Sequence, residues 1–144
     1  MQSFDVQLTP TAQKIYEEMH ADAQACITSG DHTNAKVTTL RMVDDAIDNI
    51  IPHDPFSTAN ALSGPLSNIF RVKKGRLRIY DIASSKQKKI VILYISQTLR
   101  KAGDVNDPYS IFTRLVMTGR FNDLFTSLGV RIPPKSKLQP PQIQ

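Results

Sequence analysis

Cysteine is almost absent from this chain of 144 residues, which contains one, Cys26. A single thiol can form neither an intramolecular disulfide nor a zinc site built on several thiolates. The three histidines all lie in the N-terminal half and show no spacing typical of metal ligands, so neither a metal nor another cofactor is expected. Cys26 falls on the apolar stripe of a helical pattern and is predicted to be a small core residue.

Long apolar runs are missing as well. No stretch has the roughly 20 apolar residues that a membrane-spanning helix needs, and residues 1–5 lack the basic-then-apolar pattern of a signal peptide. We therefore expect a cytoplasmic protein with no membrane partner. With 40% hydrophobic residues the chain can form one well-buried core. We predict a single domain over residues 1–132 and a flexible tail over residues 133–144, where prolines recur.

Acidic residues are scarce in one segment. Residues 71–101 contain ten Lys or Arg and one Asp, whereas residues 1–70 contain three basic and nine acidic side chains. The net charge of +5 hides this asymmetry. A surface selected only for solubility has charges of both signs interspersed, so the concentration of positive charge indicates a phosphate-rich partner. A solvated cationic face without a ligand is the alternative.

The basic segment begins with two short alternating strands around Lys74-Gly75. An X-Gly pair is typical of a two-residue hairpin loop, and this loop would set Lys73 opposite Arg76 and Arg71 opposite Arg78. Because side chains alternate along a strand, the strands would have a cationic face and an apolar face. The predicted cationic face carries Arg71, Lys73, Arg76, Arg78 and Tyr80, and the apolar face carries Phe70, Val72, Leu77 and Ile79.

The remaining patterns predict an α+β protein. Residues 4–8 alternate as a first strand, and Thr9-Pro10 is a strong helix start. Asp31 can cap a second helix, which Pro52 and Pro55 end. The apolar run 90–95 is typical of a central strand buried on both faces. We expect an N-terminal strand and helical hairpin packed on a small, mostly antiparallel sheet, with a C-terminal helix. The apolar hairpin face would contact the helix pair, and the cationic face would be open.

An open cationic face can bind or cleave RNA. Cleavage needs a base for the 2′-hydroxyl, a cation for the charge that develops on phosphorus, and an acid for the departing 5′-oxygen. Lys73 is the candidate base because neighbouring cations favour a neutral amine, and Tyr80 could stack on a base. A binding patch uses the same residue types, so the residues alone leave binding or cleavage open. Tyr109, after the central strand, is either a site residue or an ordinary half-buried helix residue.

The motif of residues 62–66, 69–73 and 75–80 followed by an apolar strand resembles the RelE/ParE superfamily of bacterial type II toxins. The resemblance covers roughly residues 4–112 and leaves the chain from about Phe121 without a counterpart. It implies a toxin bound by a cognate antitoxin, in a possible hetero-oligomer, that cuts mRNA on the ribosome. The implied catalytic residues are Lys73, Arg78, Arg100 and Tyr109, and those predicted to bind RNA are Arg71, Lys74, Arg76, Tyr80 and Lys101.

Two alternatives follow from the same resemblance. Members of the ParE type inhibit DNA gyrase with the same fold and without the cleaving residues, and a nucleic-acid-binding module without toxicity would also use a cationic face. The sequence departs from the RelE pattern in that Asp81 falls where a tyrosine is common. In addition, Arg71 replaces a frequent lysine, and the loop between Arg100 and Tyr109 is long.

Overall fold

The chain folds as an α+β protein, as predicted, in a computed structural model that describes residues 4–97 and 108–131. Arg100, Lys101 and the predicted tail lie outside the described residues. No described helix is long and apolar enough to cross a membrane. The elements in chain order are β1 Asp5–Leu8, α1 Pro10–Thr28, α2 Ala35–Asp45, α3 Ile51–His53, β2 Phe70–Lys74, β3 Leu77–Ser84, β4 Lys89–Ser96, α4 Pro108–Met117 and α5 Asn122–Leu128.

Thr9 caps the first helix and also links it to the sheet. The Thr9 hydroxyl oxygen accepts a hydrogen bond from the Ala12 N–H at 3.0 Å and the hydroxyl donates to the Leu93 carbonyl oxygen at 2.9 Å. Pro10 occupies the first helical position, where a missing N–H costs nothing. The predicted helix start is therefore confirmed, and the cap also satisfies a buried carbonyl of the central strand.

The second helix differs from its predicted bounds. It begins at Ala35, and its cap is Asn34, whose side-chain oxygen accepts from the Lys36 N–H at 2.9 Å. The predicted cap, Asp31, instead accepts a hydrogen bond from the Asn34 amide. The helical run continues through a π-helical segment at Ala46–Ile50 into α3 and ends at His53, between Pro52 and Pro55, as the two prolines predict.

The four strands form one mixed sheet in the order β1-β4-β3-β2. Strand β1 is parallel to β4, and the other two pairs are antiparallel. Strand β4 is central and almost entirely buried, as its apolar run predicts. The register between β3 and β4 shifts after Tyr80, which pairs with Tyr94, whereas Asp81 pairs with Ile92. The extra residue, Leu93, places both Leu93 and Tyr94 in the cluster on one side of the sheet.

The hairpin has a different register from the predicted one. Lys73 pairs with Arg78 and Arg71 with Tyr80, so the loop is Gly75-Arg76, with Gly75 at a φ of 56°. A glycine with positive φ in the first loop position is what a II′ turn requires. The observed register also leaves one directly opposed pair of cations where the predicted register has two. Because each partner moves by two residues, the side chains keep their faces, and only Arg76 leaves the cationic face.

Two separate cores lie on the two sides of the sheet. On one side, Val72, Leu77 and Ile79 join the buried cluster formed with α1 and α2, as predicted. The other side was expected to be open, and this expectation is wrong for most of its length. Helices α4 and α5 cover it through a second cluster that includes Tyr80, Phe112 and Phe125. A central strand that is apolar on both faces needs a layer on each side, and the described helices leave the cations uncovered only at the hairpin end.

Candidate active site on the hairpin

Three predicted cations lie together at the hairpin end of the sheet. Lys73 and Arg78 are directly opposite each other, with Cβ atoms about 5 Å apart for such a pair, and Arg71 follows on the same face. Lys73 is exposed, whereas Arg71 and Arg78 are half-buried. The Arg78 Nη1 donates to the carbonyl oxygens of Gly75 at 2.6 Å and Leu77 at 2.9 Å. The guanidinium is thereby held over the turn, close to the exposed lysine.

Arg71 connects the hairpin to the C-terminal helices. Its backbone N–H donates to the Asn60 carbonyl oxygen at 2.8 Å, which fixes the strand at this point. Its guanidinium carbon lies 5.7 Å from the centroid of the Tyr109 ring on α4, within the range of a cation–π interaction. The Arg71 guanidinium also lies close enough to the Tyr80 hydroxyl to oppose the rise in the pKa of that group. Two tyrosines from different elements therefore orient one arginine.

Tyr80 is buried, whereas the prediction placed it on an open cationic face. Its side chain is 1% exposed and its ring stacks on Phe112 at 4.1 Å between centroids with 13° between planes. The ring is therefore not available to stack on an RNA base. Burial raises the pKa of the Tyr80 hydroxyl, although Arg71 and Arg78 oppose the shift. The hydroxyl stays protonated at neutral pH and lies beside the Arg71 guanidinium.

Of the other predicted site residues that the structure describes, Tyr109 lies at the site, and Arg76 and Lys74 lie outside the cationic face. Arg76 is exposed in the turn, and Lys74 is exposed at the end of β2 on the opposite side of the strand from Lys73. Tyr109 lies at the start of α4 beside Arg71, as the site prediction requires. The structure thus brings together Arg71, Lys73, Arg78 and Tyr109. Among the described residues no three His, Cys, Asp or Glu side chains lie together that could hold a metal ion.

Sequence reasoning missed Phe112 and Asn60 as parts of the site. Phe112 stacks on Tyr80, and the Asn60 carbonyl holds the Arg71 backbone. The signal for Phe112 was present, because β4 is apolar on both faces and α4 has an apolar stripe that needs a surface to cover. Nothing in the local pattern around Asn60 indicates its contact, since the loop pairs with β2 only in the folded chain.

Asp81, next to Tyr80, is an unusual neighbour for this site. It is 1% exposed and neither carboxylate oxygen has a hydrogen-bond partner among the described residues. Burial raises its pKa well above the ordinary value. Asp81 faces the helix-pair side with Val72 and borders a small cavity with Asn60, so it does not belong to the cationic face.

A mixed four-stranded sheet with a helical hairpin on one side and C-terminal helices on the other is the fold of RelE-type toxins. Similar solved structures include the RelBE2 toxin–antitoxin complex of Mycobacterium tuberculosis, with a TM-score of 0.50 at 16% identity over 69% of this chain and 97% of that one. The isolated E. coli RelE toxin has a TM-score of 0.50 at 11% identity over 79% of this chain and 99% of that one. At these identities the likeness shows the fold alone.

The chain belongs to the YhaV toxin family. The family model, described as a toxin with endonuclease activity of a toxin–antitoxin system, matches residues 4–131. The family therefore includes α5, which corrects the expectation that the chain from Phe121 has no counterpart. No curated protein matches the sequence significantly. The chain is thus a toxin with endonuclease activity, and its fold is that of RelE.

Proposed function

We propose that this toxin is an endoribonuclease that cleaves mRNA on the ribosome and is neutralised by a cognate antitoxin. The observation that carries the proposal is the arrangement of Lys73, Arg78 and Arg71 on one hairpin face, with Tyr109 beside Arg71. These side chains supply a proton acceptor, two donors for phosphate oxygens and a hydroxyl. RNA carries its own nucleophile, the 2′-hydroxyl, so such a set is sufficient for strand cleavage.

In the proposed reaction the 2′-oxygen attacks the adjacent phosphorus and the bond from phosphorus to the 5′-oxygen breaks. Lys73 accepts the proton of the 2′-hydroxyl. Arg71 and Arg78 stabilise the negative charge that develops on the phosphorane oxygens, and Arg71 is held in place by Tyr80. Tyr109 gives a proton to the leaving 5′-oxygen. The products are a 2′,3′-cyclic phosphate and a 5′-hydroxyl end.

The shape of the site supports dependence on the ribosome. Among the residues that the structure describes, no helix covers the hairpin end where Lys73 and Arg78 lie. An open face binds phosphate and does not hold the 2′-oxygen, phosphorus and 5′-oxygen in line. A ribosome that presents mRNA in a strained conformation would supply this alignment.

The partner proposal has separate support. The solved E. coli RelE variant bound to an antitoxin RelB peptide has a TM-score of 0.50 and 12% identity to this chain, over 77% of this chain and 95% of that one. The family description also places this toxin in a toxin–antitoxin system.

The test compares purified toxin on a defined mRNA with and without translating ribosomes. We expect new 5′-hydroxyl ends, located by primer extension, only when ribosomes are present, and no cleavage after antitoxin is added. Equal cleavage of free RNA would overturn the ribosome requirement. Growth arrest with intact transcripts, cleaved DNA and an SOS response would indicate a gyrase inhibitor, and no toxicity at all would indicate a binding module.

A further inference from the structure

A groove separate from the candidate active site lies at the other end of the hairpin strands. Its volume is about 610 Å³, and it runs between the end of β3 and the residues that follow α5. Phe56, Leu128 and Val130 give it apolar walls, and Lys86 and Arg131 add positive charge. Phe56, 43% exposed, is the one large hydrophobic side chain that is exposed in the described part of the chain. An exposed apolar ring in a charged groove is typical of an interaction surface.

The sheet edge beside the groove is incomplete. Strand β2 ends at Phe70, whose partner is Asp81, so residues 82–84 of β3 pair only with β4. The part of β3 that lines the groove therefore has no neighbouring strand on that side within residues 4–97 and 108–131. Such an edge is a template for an additional extended chain.

Hydrogen bonds to β1 show which backbone groups point into the groove. The carbonyls of Lys88 and Ile92 accept from β1, at 2.9 Å from the Asp5 nitrogen and 3.0 Å from the Thr9 nitrogen. Backbone groups alternate in direction, so those of Ile90 also point to β1. Ala83 of β3 pairs with Ile90 of β4. Because the backbone groups of Ile90 point to β1, this pair shares no hydrogen bond, and the N–H and carbonyl of Ala83 point away from β4. On that side Ala83 lines the groove.

We propose that this groove binds an extended segment of the antitoxin in which acidic side chains alternate with apolar ones. The donor and acceptor of Ala83 suit the backbone of an added strand, on which alternate side chains point to opposite sides. Apolar side chains would then contact Phe56 and Val130, and carboxylates would reach Lys86 and Arg131. Only the name of the partner rests on the proposed function, since the chemistry follows from the groove.

The chain's own C-terminal residues are a less suitable occupant. Residues 132–144 directly follow Arg131, but they contain four prolines, two lysines and no acidic residue. Proline cannot donate to a sheet edge, and the lysines repeat the charge of the groove. Charge complementarity therefore favours an acidic segment from another protein.

The groove is far enough from the cations to act independently of them. Ala83 is three residues beyond Tyr80 on β3, which corresponds to about 10 Å along a strand. A segment in the groove can anchor the antitoxin while the rest of that protein covers the cationic face. Affinity for the antitoxin and cleavage should therefore respond to different substitutions.

The first experiment reverses the charge of the groove in the full chain. The double variant Lys86→Glu, Arg131→Glu is compared with Lys14→Glu, Lys36→Glu, which changes exposed lysines on α1 and α2 by the same net charge. Calorimetric titration with antitoxin purified from the same operon should give a Kd at least about tenfold weaker for the groove variant and less than about twofold weaker for the control. Equal losses in both, or none in either, would overturn the proposal.

The second measurement follows the Ala83 amide directly. Hydrogen exchange of this N–H should slow at least about tenfold when antitoxin is added, because the bound strand accepts a hydrogen bond from it. Unchanged exchange would refute the proposal. It would also be refuted if removal of residues 132–144 tightened antitoxin binding while the charge-reversed groove variant bound antitoxin as well as the wild type. Each groove variant should still cleave mRNA. A chain that binds antitoxin through the groove and cleaves no RNA would refute the proposed function alone.

Discussion

The two sides of the sheet are both covered by helices, but they differ in what the cover leaves exposed. Apart from the buried Asp81, the helix-pair side is apolar from β1 to β2, and Val72, Leu77 and Ile79 continue its core up to the hairpin. On the other side the second core ends at Tyr80, and the next residues on the same face are Arg71, Arg78 and Lys73. The helix-pair side therefore contributes only to the core. On the other side, the change from core to candidate site occurs at the paired residues Tyr80 and Arg71.

This difference has a mechanistic consequence. Phe112 stacks on Tyr80, the Tyr80 hydroxyl lies beside the Arg71 guanidinium, and Arg71 lies over Tyr109. A change in the packing of the second core therefore reaches a cation of the site through one side chain. A similar change on the helix-pair side has no such route. We expect stability and cleavage to be coupled on one side of the sheet and separable on the other.

The largest expected effect distinguishes the two sides of a single strand. Lys73→Ala should lower the cleavage rate on ribosomes at least about 100-fold, because it removes the proposed base. Lys74→Ala removes the same charge from the adjacent residue, on the opposite side of β2, and should lower the rate about twofold or less. Single-turnover cleavage measures both. Similar losses for the two variants would mean that Lys73 contributes charge and no specific chemistry.

The next effect concerns the buried carboxylate on the helix-pair side. Asp81→Asn should raise the free energy of unfolding at pH 7 by about 1–3 kcal/mol, because an unpartnered buried acid is replaced by a neutral group. The folded-state pKa of Asp81 is raised, so the folded chain holds the proton more tightly than the unfolded chain. The wild type therefore loses stability as the pH rises above about 4, the unfolded pKa.

Urea unfolding between pH 4 and pH 8 measures this effect. The two proteins should be similar near pH 4 and diverge as the pH rises, with the asparagine variant more stable. A difference that stays constant with pH would show that the folded state does not perturb Asp81, and one of opposite sign would show that the carboxylate has an ionic partner. Cleavage should be nearly unchanged, because Asp81 is not on the cationic face.

A smaller effect compares one substitution in each core. Phe112→Leu and Ile79→Val should each destabilise the fold by about 1–2 kcal/mol. Only Phe112→Leu should also lower cleavage, by about tenfold, since Tyr80 loses its stacking partner and Arg71 its orientation. Parallel unfolding and cleavage measurements test the coupling. Equal effects of the two variants on cleavage would contradict the distinction between the two sides.

The smallest effect removes one hydroxyl at the boundary between core and site. Tyr80→Phe keeps the ring that stacks on Phe112 and removes the hydroxyl that lies beside the Arg71 guanidinium. Cleavage should fall about threefold, and the free energy of unfolding should change by about 1 kcal/mol or less. Unchanged cleavage would show that Tyr109 alone orients Arg71. A loss as large as that of Lys73→Ala would mean that Tyr80 itself touches the substrate.

Several features of the fold follow from local sequence. The caps and prolines mark where α1 starts, and the glycines Gly119 and Gly129, both with positive φ, mark where the last helices end. The apolar run of β4 identifies the central strand. The cationic face of the hairpin follows from the alternation of side chains along the strands, and it is largely the same in the observed register as in the predicted one. A shift of two residues leaves every side chain that stays in a strand on its face, since the period of a strand is two.

What the sequence by itself determined is therefore the order of elements, the apolar side of each and the run of cations on one strand face. Only the tertiary structure decided that α4 lies on the cationic side, where Phe112 removes Tyr80 from the surface and Tyr109 reaches Arg71. The burial of Asp81 and the open edge at Ala83 are likewise tertiary. The physical reason is that periodicity shows which face of an element is apolar, whereas the partner that covers it depends on contacts between residues distant in the chain.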